Sequence, residues 1–334
     1  MTLPPAPIAR REYDSTRLIA EHPPVRLDPN KLVVYQIACP PGSAHRGRIG
    51  FSRWAATSLP AAVGFVPAEL LVVRPGFYDY VPCLDPAEAV EWHVNFADPN
   101  LFVGYRGPLF AQDELQVAEH PALGALREAL VAAGIPITTL GPDGPTPVLI
   151  TGVERRVSVS TNPDPRAGRP HGLYGNAFAR ADPEVVRRAT TRIEPPTITN
   201  LIAMAAPPGG SGRYRSVTIT QILTTAVTGF AAAAAESRRL RGSTVRVAVH
   251  TGYWGCGAFG GNRILMALLQ VLAAAIAGLD RLAFHTGGAG GEAPLAEALR
   301  ILRDDLRTGP SMPTGELVGR LEGFGFEWGV GDGN

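Results

Sequence analysis

Cysteine, charge and aromatic side chains are all scarce in this chain. Its 334 residues hold three cysteines, Cys39, Cys83 and Cys256, an odd and scattered set that argues against a disulfide framework. No CxxC pair and no HExxH occurs, and no two of the seven histidines have the helical spacing of metal ligands. The sequence therefore predicts no metal site and no cofactor. His93, in a strand-like stretch, reads as a packed or edge residue. Charged residues make up only 18% and the net charge is +1, so no basic coat awaits nucleic acid and any such contact must be local. No GxSxG elbow and no Gly-Lys-Ser/Thr triplet is present, which removes the serine hydrolases of the α/β type and the P-loop NTPases.

Long apolar runs are missing as well. The longest, residues 264–277, has about 14 residues against the ~20 that a bilayer requires, and suits a buried helix. The alanine-rich stretch 229–236 reads as a close-packing helix. The opening MTLPPAPIARREYD has no apolar signal region. These absences lead us to expect a cytoplasmic monomer without membrane contact.

What is present is a hydrophobic content of 45%, ample for a core, with 38 glycines and 31 prolines scattered enough to indicate a loop-rich globular protein. Residues 1–30 read as an extended arm with a short helical turn. Short β-branched or aromatic runs predict strands at 32–38, 69–73 and 90–96, and helical periodicity follows at 121–133. Strands are expected at 147–153 and 156–161, then a long loop at 161–172. From residue 199 the order is strand 201–205, helix 217–239, strand 244–250, a glycine loop, helix 262–277, strand 281–285 and helix 293–306. Such βαβαβα alternation implies parallel strands with crossover helices. The expected division is an arm (1–30), one α/β domain with a mixed sheet between helices (31–310) and a tail (311–334).

The glycine loop is the sharpest feature. HTGYWGCGAFGGN precedes the apolar helix, with glycines at 255, 257, 260 and 261. Bare backbone ahead of a helix N-terminus makes an anion site, with phosphate the favoured guest. A plain strand–helix turn is the simplest alternative. GCGAFG also fits the dinucleotide fingerprint, and Asp280 stands twenty positions beyond Gly260, where a ribose-binding acid belongs. Against that reading, Asp280 precedes its strand.

TGYWGCGAFGGN followed by LMALLQVLAAAIAG resembles the poly(ADP-ribose) glycohydrolase family, whose members carry a TGNWGCGAFGGD-type loop and an LKALIQLLAAA-type helix. The resemblance implies a macrodomain that binds ADP-ribose, with Gly255, Cys256, Gly257, Ala258, Phe259 and Gly260 along the diphosphate. Upstream, NFADPNLFVGYRGPLFAQDELQVAEHPAL resembles the family's triple-glycine and Gln-Glu-Glu arrangement. Phe102-Val103-Gly104 stands at the triple glycine, leaving Gly104 and Val103 as the expected ligand-facing residues. Gln112-Asp113-Glu114 stands at the Gln-Glu-Glu. The resemblance implies that Glu114 is the catalytic acid, with Asp113 holding the ribose and Gln112 orienting either. The chemistry suits one glutamate, because cleaving an anomeric bond needs a proton for the leaving group and a base for water. Read without the resemblance, Asp113 and Glu114 are a solvated acidic helix start. HGLYGNAFARA resembles the family's GYANTY-type segment, which implies Tyr174, Asn176 and Phe178 against the ligand. For Phe178, core packing stands as the alternative.

The eroded glycine loop favours single ADP-ribose groups over polymer, carried on modified protein or on a nucleic-acid base. Arg106, Arg166, Arg169 and Arg180 are candidates for local nucleic-acid contacts, with a solubilising surface as the alternative. The rival function is an ADP-ribose-binding reader with little turnover. Cys256, at a helix start, reads first as packing and second as a nucleophile.

Overall fold

The computed structural model describes residues 6–306 and 311–332. The sequence AVEWHVNF, strand Ala89–Phe96, alternates by chemistry. Strand geometry therefore sends Val90, Trp92 and Val94 to one face and Glu91, His93 and Asn95 to the other. This strand lies inside an eight-stranded mixed sheet. In spatial order the strands are Pro7–Asp14, Arg48–Trp54, Val148–Val159, Thr190–Met204, Ala89–Phe96, Arg246–Thr251, Arg281–His285 and Leu71–Arg74. The first four pair antiparallel, and from Thr190–Met204 onward every pair is parallel.

The face bearing Trp92 and Val94 is covered by helices Ser216–Arg241 and Arg263–Ala277, which enclose the largest apolar cluster. On the opposite face, helices Ser15–Glu21 and Ala122–Ala132 cover the antiparallel half. Helices Pro29–Ala38 and Pro183–Ala189 share a third cluster with Phe110 and Val157. The result is a three-layer α/β/α sandwich, as expected. Ser216–Arg241 is long and apolar enough to cross a membrane, yet 67% of its apolar window is buried inside the fold.

Several sequence expectations need correction. Residues 32–38 belong to a helix, Pro29–Ala38, although Val33 and Val34 favour strand. The Asp28 carboxylate accepts from Asn30 and Lys31 N–H and Pro29 opens the first turn, so the cap prevails over local propensity. Strands foreseen at 147–153 and 156–161 are one strand, Val148–Val159, whose pairing shifts register twice. The strand at 201–205 is the end of a longer one, Thr190–Met204. The helix foreseen at 293–306 stops at Arg300 and gives way to a π turn, Ile301–Asp305.

The described parts of the foreseen arm and tail are built into the fold. Pro7–Asp14 pairs with Arg48–Trp54, and Arg10 clamps Glu236 through two 2.7 Å hydrogen bonds. Within the foreseen tail, Ser311–Pro313 pairs with Ala62–Gly64 and Thr314–Gly323 forms a helix.

Candidate active site

The end of strand Ala89–Phe96 positions the start of helix Gln112–Glu119. The Gln112 side chain accepts from Phe96 N–H at 2.7 Å and donates to Val94 O at 3.2 Å, which ties the helix start to the strand end. Asp113 Oδ1 accepts from Asn95 Nδ2 at 3.0 Å. Glu114 turns back, its Oε2 accepting from Ala111 N–H at 3.1 Å. This is the reach-back half of a capping box; Ala111 has no side-chain acceptor for the other half. The two adjacent acids therefore diverge: Asp113 toward the strand, Glu114 toward the loop before its own helix.

Both carboxyls are buried, Glu114 being 5% exposed. Burial raises the Glu114 pKa, opposed first by the Lys31 ammonium. Burial and then the neighbouring Glu114 charge push Asp113 well above the usual carboxylate range. A buried glutamate with a raised pKa holds its proton more readily than a solvated one, as a general acid must. The alternative of a solvated acidic helix start is thereby set aside.

Lys31 was not singled out from the sequence. It is 2% exposed, and its Nζ donates to Gly104 O at 2.9 Å. Burial lowers its pKa to about 8, with Glu114 the first group to oppose that shift. It is also the one lysine in the chain, every other long cation being arginine. That count was the available signal. Asn95 was missed for a different reason, since its partner lies 18 residues away.

Gly104 sits against Glu114: a Cβ there would lie 2.1 Å from Glu114 Oε1. Of its expected companions, Phe102 is fully buried at φ 54° and points into the core, while Val103 faces outward, 43% exposed.

The glycine loop begins where Trp254 anchors its indole N–H to Met204 O at 2.9 Å. Gly255, at φ 75°, leaves 2.5 Å between an added Cβ and Ala206 Cβ, so only glycine fits. Asn262 caps the following helix by accepting from Ile264 and Leu265 N–H. Two of the helix-start donors foreseen for an anion are thus used internally. Burial pushes the Cys256 thiol up to about 12, which removes the nucleophile reading.

Tyr174 links the two halves. Its hydroxyl accepts from Gln112 N–H at 3.1 Å, and its surroundings include both the Glu114 and the Asp332 carboxylates. Asp332 belongs to a C-terminal strap on the glycine loop. Trp328 stacks on Tyr214 at 4.2 Å, Gly329 N–H donates to Gly260 O at 2.8 Å, and Asp332 N–H donates to Gly257 O at 3.4 Å. The presumed tail therefore lies along the backbone that was read as the diphosphate site.

Other candidates fall elsewhere. Phe178 is fully buried and stacks on Phe110 at 3.8 Å, so it is a core residue rather than a ligand-stacking one. Asn176 is exposed at the start of the short helix Ala177–Arg180. Asp280 accepts from Val247 N–H at 2.8 Å, beside the start of strand Arg246–Thr251 and away from its glycine-loop end, which removes the dinucleotide reading. Arg106 pairs with Glu128 and Arg169 with Asp164, while Arg166 and Arg180 are exposed.

Residues 172–291 match the family model described as poly(ADP-ribose) glycohydrolase (PARG), macro domain fold. Over that stretch the chain is similar to the macro domain of the PARG family. The match takes in Tyr174 and the glycine loop and begins downstream of Glu114. Among solved structures, the chain is similar to poly(ADP-ribose) glycohydrolase from Thermomonospora curvata, with 16% identity, a TM-score of 0.44, and coverage of 87% of this chain and 85% of that one. It is also similar to the Deinococcus radiodurans glycohydrolase in complex with ADP-ribose, with 14% identity, a TM-score of 0.43, and coverage of 89% and 95%.

Proposed function

We propose that the chain is an ADP-ribosyl hydrolase that removes single ADP-ribose groups from modified protein or from a nucleic-acid base. ADP-ribose lies between the glycine loop and residues 103–114. Glu114 protonates the oxygen or nitrogen that leaves the anomeric carbon, and then takes a proton from the water that attacks that carbon. The net reaction consumes one water and regenerates the Glu114 carboxyl. Lys31 and Gly104 position that carboxyl; Gln112 and Asp113 fix the helix start that bears it.

The observation that carries this reading is the Glu114 carboxyl: buried, raised in pKa, and pressed against a backbone that has room for no side chain. The preference for single groups rests on the loop at 102–104, where one glycine remains of the family's three. A release assay run in parallel on polymer, glutamate-linked and base-linked ADP-ribose tests it. Release from the single-group substrates supports the reading, and release from polymer alone overturns the preference.

A second reading, an ADP-ribose-binding module with little turnover, is favoured by one observation. The chain's own residues 329–332 lie along the glycine loop. Binding without release from any of the three substrates supports that reading instead.

A further inference from the structure

The sheet face that bears Glu91 and His93 carries a buried polar layer at its parallel end, beneath the connection 75–88. His250 is fully buried there and stacks on His93 at 4.3 Å. Hydrogen-bond roles along this layer follow from one fixed point. His285 Nδ1 lies 3.1 Å from the carbonyl oxygen of Phe77, and a carbonyl only accepts, so Nδ1 carries the hydrogen. In neutral His285 the other nitrogen, Nε2, is then the acceptor. It lies 3.1 Å from His250 Nδ1, which must donate to it. In neutral His250 this leaves Nε2 with a lone pair, aimed at Glu91 Oε2 at 2.8 Å. Two acceptors facing each other at that distance call for a proton or a metal ion between them.

A third donor stands at the same point. Cys83 Sγ, a Glu91 carboxylate oxygen and His250 Nε2 all lie within 4.8 Å of one another. The remaining Glu91 oxygen is held by Cys83 N–H at 2.9 Å and Leu84 N–H at 2.7 Å, so the carboxylate is oriented before any ion arrives. We infer that Cys83, Glu91 and His250 bind one zinc ion, with His285 fixing the orientation of the His250 ring. Thiolate, imidazole and carboxylate together match a borderline-soft divalent ion. With bonds of about 2.0–2.3 Å, side-chain adjustment of Cys83 and Glu91 brings the three donor atoms around one centre. Cys83 is half-buried, and water would complete the four-coordinate set. Binding replaces the Cys83 S–H bond with S–Zn and releases one proton. The ion pins the connection 75–88 to the sheet. That connection also supplies Tyr80, whose hydroxyl accepts from Gln116 at 3.3 Å on the helix that bears Glu114.

The test uses the full chain, stripped with chelator and titrated with Zn2+ and, separately, with Co2+. The expected result is one equivalent bound, a rise in melting temperature, proton release and a thiolate-to-cobalt charge-transfer band. Cys83→Ser removes that band, and His285→Ala weakens zinc binding by about 10–100-fold. Circular dichroism confirms that each variant is folded. A folded wild-type chain that takes up no stoichiometric zinc overturns the inference. So does a Cys83→Ser variant that binds zinc as the wild type does, or nitrogen-15 shifts that show a doubly protonated His250 in a chain indifferent to zinc. None of these readouts depends on ADP-ribose.

Discussion

Gly104 and Glu114 occupy each other's space: a single carbon added at Gly104 would stand 2.1 Å from the Glu114 carboxylate. The loop glycine and the acid are therefore one unit, although ten positions of sequence separate them. Gly104→Ala is expected to force the carboxylate aside. The overpacking should cost about 1–3 kcal/mol of stability. The diagnostic outcome is a fall in ADP-ribose release larger than the fall in ADP-ribose affinity, measured by single-turnover release and calorimetry.

Lys31 acts on the same carboxylate through charge. Its ammonium favours the ionised form of Glu114, against burial, which favours the neutral form. Replacing it by methionine removes that support, so the Glu114 pKa rises further. The limb of the kcat/KM profile that follows Glu114 should move to higher pH. A purely structural role would instead lower the rate equally at all pH values and leave the limb in place.

On the proposed function, the C-terminal strap and ADP-ribose compete for the glycine loop. Removing residues 330–334, while keeping Trp328 on Tyr214, should tighten ADP-ribose binding in a calorimetric titration. Unchanged affinity would mean that the strap and the ligand use different surfaces.

Acid stability offers a check on the N-terminal strand. Burial, the largest single influence on the Glu236 carboxyl, raises its pKa, but Arg10 and Arg239 together outweigh it and hold the group below its usual value. A depressed carboxylate contributes stability above its unfolded pKa of about 4.3, and the contribution is lost as pH falls through the lower folded value. Glu236→Ala should therefore destabilise the protein at neutral pH by about 2–4 kcal/mol, since the partly buried Arg10 loses its partner. The gap between variant and wild type should narrow below about pH 4. Melting curves from pH 3 to 7 measure this directly.

The sequence exposed those parts of the site that are local. Strand, glycine loop and capped helix run consecutively from Arg246 to Ala277, and Gln112-Asp113-Glu114 opens one helix. The N-terminal helix carrying Lys31 reads as strand from Val33 and Val34, whereas the Asp28 cap and Pro29 make it a helix. Lys31 meets Gly104 from 73 positions away. Spacing rules for metal ligands could not find Cys83, Glu91 and His250, because His250 arrives on a neighbouring parallel strand. Phe178 shows the opposite failure: a motif position that looked ligand-facing is filled by a core side chain, because Phe110 stacks on it.

The most direct measurement is paired calorimetry and release on wild type and Glu114→Gln. The prediction is ADP-ribose binding by both proteins, with release from a single-group substrate slowed by about 10²–10⁴-fold in the variant. Equal release by the two proteins, or no ADP-ribose binding by either, would contradict the assignment of Glu114 as the acid/base of an ADP-ribose site.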